Sequence, residues 1–151
     1  MDGYAGLPPQ TYSLSDVINF TVDMVAEHLV PHPLVHQNTG CLAVRRGPIV
    51  YALESVDHRD VPDLRLVRLD RAAALEPVDM KILDKPVVGI RTRGTIVVVP
   101  PEERASFKQE SRPLRSHEEK PVELTFVPYF AWGNRGPSDM RVWIQKTVNG
   151  G

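Results

Sequence analysis

The chain has 151 residues, 42% of them apolar, which is enough to bury one core and too little for a second full domain. Its 18 basic and 19 acidic residues leave a net charge of -1, so no broad field favours nucleic acid or an anionic membrane, while neutral ligands such as sugars stay compatible. Fourteen prolines disfavour a helical bundle, and the single cysteine, Cys41, excludes an intramolecular disulfide or a multi-cysteine zinc site within one copy.

Residues 1–11 are expected to form a disordered or extended lead, and they show neither the basic start nor the apolar stretch of a signal peptide. No run approaches the roughly 20 apolar residues of a membrane span, and a cytoplasmic location is expected for the chain as written. From Ile18, the residues Phe20, Val22 and Met24 alternate with Asn19, Thr21 and Asp23, which predicts a strand with one apolar face. A rival helix through Val22, Val25, Ala26, Leu29 and Val30 is stopped by Pro31 and Pro33. His28, His32 and His36 recur every fourth residue, a spacing that would align three imidazoles on a helix. The prolines break that helix, so a solvated strand face is the expectation, ahead of a weak metal site.

After the turn signal at 37–40, residues 41–45 and 49–55 read as two strands interrupted by Arg46-Gly47-Pro48, expected as a bulge or a break in the ladder. Leu64, Leu66 and Leu69 mark a short strand, and residues 71–76 add one helical turn. Residues 87–91 and 95–99 flank Thr92-Arg93-Gly94, which predicts a hairpin. Residues 102–120 are charged, of mixed sign and nearly free of large apolar side chains, hence a long mobile loop. Alternation returns at 122–128, with Val122, Leu124 and Phe126 on one face, and residues 140–144 supply a last strand expected to pair with it. Residues 147–151 are a frayed tail.

The densest chemistry lies at 128–144, PYFAWGNRGPSDMRVWI. Tyr129 and Trp132 offer faces on which a sugar ring can stack, and Asn134 and Arg135 offer donors for its hydroxyls. The structural alternative buries Trp132 and Trp143 in the core and has Asn134 and Arg135 tie down the loop. Upstream, Arg45, Arg46 and Glu54 place charges beside apolar sequence, which predicts a buried Arg–Glu pair across neighbouring strands. As a catalytic acid Glu54 would need a second carboxylate at about 5–10 Å, a separation that sequence cannot supply, and Asp57 lies near it in sequence. Cys41 is expected to be a small buried hydrophobe.

The stretch 128–144, together with RGPIVYALE at 46–54, closely resembles the C-terminal β-sandwich region of glycoside hydrolase family 127, the β-L-arabinofuranosidase-like proteins. The stretch TYSLSDVINFTVDM at 11–24 is similar to the family's entry strand. The resemblance implies an all-β, antiparallel, jelly-roll-like sandwich over residues 12–146, interrupted by the charged loop at about 101–120. Its motif residues would be Arg46, Gly47, Pro48, Tyr51, Glu54, Gly136 and Trp143, with Ala52 standing where the family often has a cysteine. In the family a helical barrel ahead of this region carries a cysteine nucleophile and a zinc ion held by thiolates and a glutamate. Cys41 matches no catalytic position of that pattern. The implied object is a noncatalytic module without cofactor, whose partner in full-length relatives is the helical barrel. A stand-alone module binding an arabinose-containing glycan is the alternative. A sandwich that normally packs on another domain exposes apolar surface when alone, so self-association is also expected.

Overall fold

The computed structural model describes Gly6, Pro9 and residues 12–99 and 118–147. Nine strands run in chain order: β1 (Ala26–Leu29), β2 (Cys41–Arg46), β3 (Ile49–Glu54), β4 (Val67–Leu69), β5 (Glu76–Ile82), β6 (Lys85–Val97), β7 (Glu119–Pro128), β8 (Met140–Arg141) and β9 (Ile144–Lys146). Single 3-10 turns sit at His36–Asn38, Ser55–Asp57, Leu64–Leu66 and Tyr129–Ala131, and no α-helix occurs among the described residues. The all-β class is thus as expected. The charged stretch lies mostly outside the described residues, and where they resume β7 already begins at Glu119.

The pairings form a closed circuit, β2–β3–β7–β6–β4–β9 and back to β2, with β1 added to β2, β5 to β6 and β8 to β3. Every pair is antiparallel except β4–β9. Hydrogen bonds therefore join the layers of the sandwich as well as the strands within them. The β2–β3 hairpin opens this circuit: Arg46 pairs with Ile49 across Gly47 and Pro48. Gly47 takes a φ of 55°, the left-handed value demanded of the first residue in such a tight turn, so Gly-Pro makes a hairpin rather than a bulge. Beyond the turn the two strands splay, and residues 140–146 fill the opening, β8 against Glu54 and β9 against Leu42. This corrects the expected pairing of 140–144 with 122–128, because β7 is already flanked by β6 and β3.

Alternation along β2 and β3 sends Leu42, Val44, Tyr51 and Leu53 inward to Leu69, Ile90, Leu124, Phe126 and Ile144. The opposite face of β3 is covered too, since Ala52 and Glu54 are fully buried. There Val127, Ala131 and Ile82 make a second, smaller cluster.

Three local expectations are corrected. Residues 18–24 belong to no strand, and the first strand begins at Ala26, because alternation alone supplies no neighbouring edge. Residues 71–76 carry no helix, and β5 begins at Glu76. Thr92-Arg93-Gly94 is no turn but the middle of β6. Gly94 serves contact: a Cβ there would sit 2.5 Å from the Arg68 carbonyl oxygen and 2.6 Å from Leu124 Cδ1. The hairpin lies instead at Leu83-Asp84, both at positive φ, joining β5 to β6. Gly94→Ala is expected to destabilise the fold by about 1–3 kcal/mol through overpacking. Urea unfolding of the two proteins measures it, and an unchanged midpoint would show that the β4–β6 contact has room to spare.

Candidate functional site

The 129–138 loop arches over the end of β3 and delivers its polar groups to one carboxylate. Glu54 has 0% of its surface exposed. Its Oε1 accepts from the Gly133 N–H at 3.0 Å and from the Ser138 hydroxyl at 2.9 Å, while Oε2 accepts from the Arg135 guanidinium. Arg135 simultaneously donates to both oxygens of Asp57, at 2.6 Å from Nη1 and 2.5 Å from Nη2. The 3-10 turn Ser55–Asp57 brings Asp57 round to that position, and Ser55 and Asp139 fasten the far side of the loop through two bonds of 3.0 Å.

Burial raises the affinity of the Glu54 carboxyl for a proton, but the three donors outweigh it, so the group ionises more readily than its ordinary value of 4.5. The Asp57 carboxylate, ahead of Glu54, holds the Arg135 guanidinium in its charged form. His58, also buried, continues the network. The Thr125 N–H donates to its Nε2 at 3.1 Å, so the ring proton resides on Nδ1, which donates to the Glu54 carbonyl oxygen at 2.7 Å. Sequence reading missed His58, whose only signal was its position four residues beyond Glu54.

The buried Arg–Glu pair therefore exists, but with Arg135 as its cation in place of Arg45 or Arg46. Arg45 makes an exposed pair with Glu27, and Arg46 lies near Tyr51, whose hydroxyl donates to the Val88 carbonyl at 2.9 Å. Gly47 and Pro48 form the hairpin turn at the far end of β3 from Glu54. Gly136 lies within the arch at a φ of 103°, and Trp143, between β8 and β9 in the chain, is half-buried and lines a pocket together with Cys41, Leu64 and Val67. Burial pushes the Cys41 thiol up from its ordinary value.

The aromatic residues lie at the surface. Tyr129 is 48% and Trp132 41% exposed, their rings stacked at 6.3 Å, and Phe130 beside them is more exposed still. Trp132 is thus not a core residue. Asn134 donates to the Ala131 carbonyl at 3.1 Å, and Arg135 is engaged as above, so the structure gathers all four candidate residues in one loop but commits the Arg135 guanidinium and one Asn134 bond within the protein. A separate groove of about 480 Å³, lined by Glu76, Arg91, Arg93 and Glu123 among others, lies along β6 away from this loop. Among the described residues no group of three His, Cys, Asp or Glu could hold a metal ion, and His28, His32 and His36 do not converge.

Residues 26–145 match the family model for the glycoside hydrolase family 127 C-terminal domain. The chain belongs to glycoside hydrolase family 127. It is 30% identical over 135 residues to the non-reducing end β-L-arabinofuranosidase of Bifidobacterium longum subsp. longum, covering 85% of this chain and 19% of that protein. The crystal structure of a family 127 β-L-arabinofuranosidase from Geobacillus stearothermophilus T6 superposes with a TM-score of 0.68 at 34% identity, over 82% of this chain and 18% of that one. A further family 127 β-arabinofuranosidase gives a TM-score of 0.65 at 28% identity, over 83% and 18% of the two chains. The chain spans about a fifth of the length of these relatives.

Two consequences of the carboxylate lock can be measured. Arg135→Ala leaves Glu54 buried and unpaired and is expected to destabilise the domain by about 3–5 kcal/mol, whereas Arg45→Ala, which breaks an exposed pair, should change it by about 0–1 kcal/mol. Denaturant titration of both variants decides, and equal losses would refute the asymmetry. Because folding lowers the Glu54 value, its stabilising contribution is complete above its ordinary 4.5 and drains away as pH falls through the folded-state value. Glu54→Gln should therefore flatten the acid limb of the stability profile.

Proposed function

We propose that this chain is a noncatalytic β-sandwich module whose work is to buttress the catalytic body of a family 127 glycoside hydrolase, a helical barrel. The observation that carries the reading is the state of its two adjacent carboxylates. A glycosidase pair needs one carboxyl kept protonated and both open to a sugar. Glu54 is sealed from solvent and saturated with donors, and Asp57 shares the same guanidinium. Such a pair is built for permanence. The match to a C-terminal domain in relatives about five times longer agrees with this division of labour. On this reading zinc and the thiolate nucleophile belong to the barrel, and Cys41 has no part in the reaction.

The exposed, stacked Tyr129 and Trp132 favour one second reading, a stand-alone module that holds an arabinose-containing glycan on this platform. Against it, the Arg135 guanidinium is engaged by Glu54 and Asp57, and the Asn134 amide already donates to the Ala131 carbonyl.

The purified chain is expected to release no arabinose from β-L-arabinofuranosides, with or without added zinc. Zinc-dependent turnover that disappears in Cys41→Ser would overturn the noncatalytic reading. Titrating tryptophan fluorescence with arabinose-containing oligosaccharides should give no saturable change, and saturation abolished by Trp132→Ala would establish the second reading in its place.

A further inference from the structure

After a turn at Leu14-Ser15, residues 16–25 run up to β1 outside any helix or strand, and among the described residues little covers the apolar side chains of 14–25. Val17 is 82% and Phe20 75% exposed, and Leu14, Ile18, Val22 and Val25 are exposed as well. Ile18, Phe20 and Val22 alternate with Asn19, Thr21 and Asp23, a spacing that places the three apolar residues on one side when the segment adds as a strand. Among the described residues no backbone hydrogen bond engages 17–24. An extended segment with a one-sided apolar row and unspent N–H and C=O groups is the form that adds as a strand to another sheet edge or lies in an apolar channel.

The segment is nevertheless anchored. Gly47 N–H donates to the Val25 carbonyl at 3.1 Å, and a Cβ on Gly47 would fall 2.6 Å from Met24 Sδ and 2.9 Å from the Asp23 carbonyl oxygen. The β2–β3 turn thus grips the root of the segment and fixes the direction in which its apolar row leaves the sandwich. That gives the Gly of the Arg46-Gly47-Pro48 turn a second duty besides its backbone angle.

We infer that residues 14–25 are the seam by which the module packs onto the N-terminal body of a family 127 protein, an inference that rests on the buttress reading above. Position selects this occupant over a second copy of the chain. The matched domain begins at residue 26 and is the family's C-terminal domain, so the polypeptide just ahead of β1 is where the remaining four-fifths of a relative joins it. An apolar strip at that junction, gripped at its root, meets the larger body before any other surface of the module does.

The test co-expresses this chain with the Geobacillus stearothermophilus enzyme truncated ahead of its C-terminal domain, and compares wild type with Ile18→Ser/Phe20→Ser/Val22→Ser. Wild type should co-purify, and the triple variant should lower recovery by at least about 10-fold while keeping the wild-type unfolding midpoint. Equal recovery would overturn the seam and leave the buttress reading standing. Failure of wild type to co-purify would count against the buttress reading itself. A wild-type dimer that persists in the presence of the truncated enzyme and that the triple variant converts to monomer would assign the strip to a second copy and overturn the inference. Hydrogen exchange on the intact Geobacillus enzyme provides a check free of truncation. The stretch aligned with 17–22 should exchange at least about 10-fold more slowly than the same residues here, and equally fast exchange would refute the seam.

Discussion

An ionised carboxylate shut away from water must be surrounded by donors, and at Glu54 all of them come from one loop. Gly133, Arg135 and Ser138 reach the two oxygens from three points along the arch, so the loop cannot change course without stranding a charge in an apolar surrounding. The consequences spread along β3. Its last residue is also paired with Met140 of β8, and its carbonyl accepts from His58, whose other nitrogen holds the Thr125 N–H of β7. A single strand end thereby fixes a loop, a neighbouring strand and the edge by which β8 enters the splayed hairpin.

The closed circuit of strands explains why so small a body needs so few edges. Its six members each find a partner on either side over part of their length, leaving β1, β5 and β8 at the margins. β5 is edged with Pro77, Asp79 and Lys81, residues that discourage the approach of a further strand. Ahead of β1 the exposed residues mix Val17, Ile18 and Phe20 with Asp16, Asn19 and Asp23, so large apolar side chains stand open there in a way they do not on β5.

Much of this was legible in the sequence wherever a local rule and the tertiary fold agreed. β2, β3 and β7 followed alternating or continuous apolar runs, and the Gly-Pro between the first two marked where one ends and the next begins, though as a hairpin turn and not the expected bulge or break. Glu54 and Arg135 were both singled out, but 81 residues separate them, and nothing in one sequence says which of several arginines a buried carboxylate will meet. The errors share a cause. Gly94 carried the signal of a turn yet was required by the close approach of Arg68 and Leu124, a demand that exists only once β4, β6 and β7 are assembled. The true turn at Leu83-Asp84 places a leucine at positive φ, where local preference argues against it. The 18–24 stretch met every local condition for a strand and found no edge within the described residues.

The two stretches that carry the family resemblance are the two halves of the Glu54 lock, and the physics of burial accounts for that. An apolar core accepts many combinations of side chains at similar total volume. A buried ion pair accepts almost none, because each donor is fixed by distance and angle, and loss of any one leaves a charge uncompensated. Residues that look like catalytic equipment, two acids beside an arginine and a histidine in an aromatic loop, can therefore be held to one arrangement by folding alone. On the proposed reading the chemistry of family 127 is elsewhere, and what these residues supply is a surface of constant shape. Tyr129, Phe130 and Trp132 stand on that surface because the lock beneath them leaves the loop no freedom to fold them away.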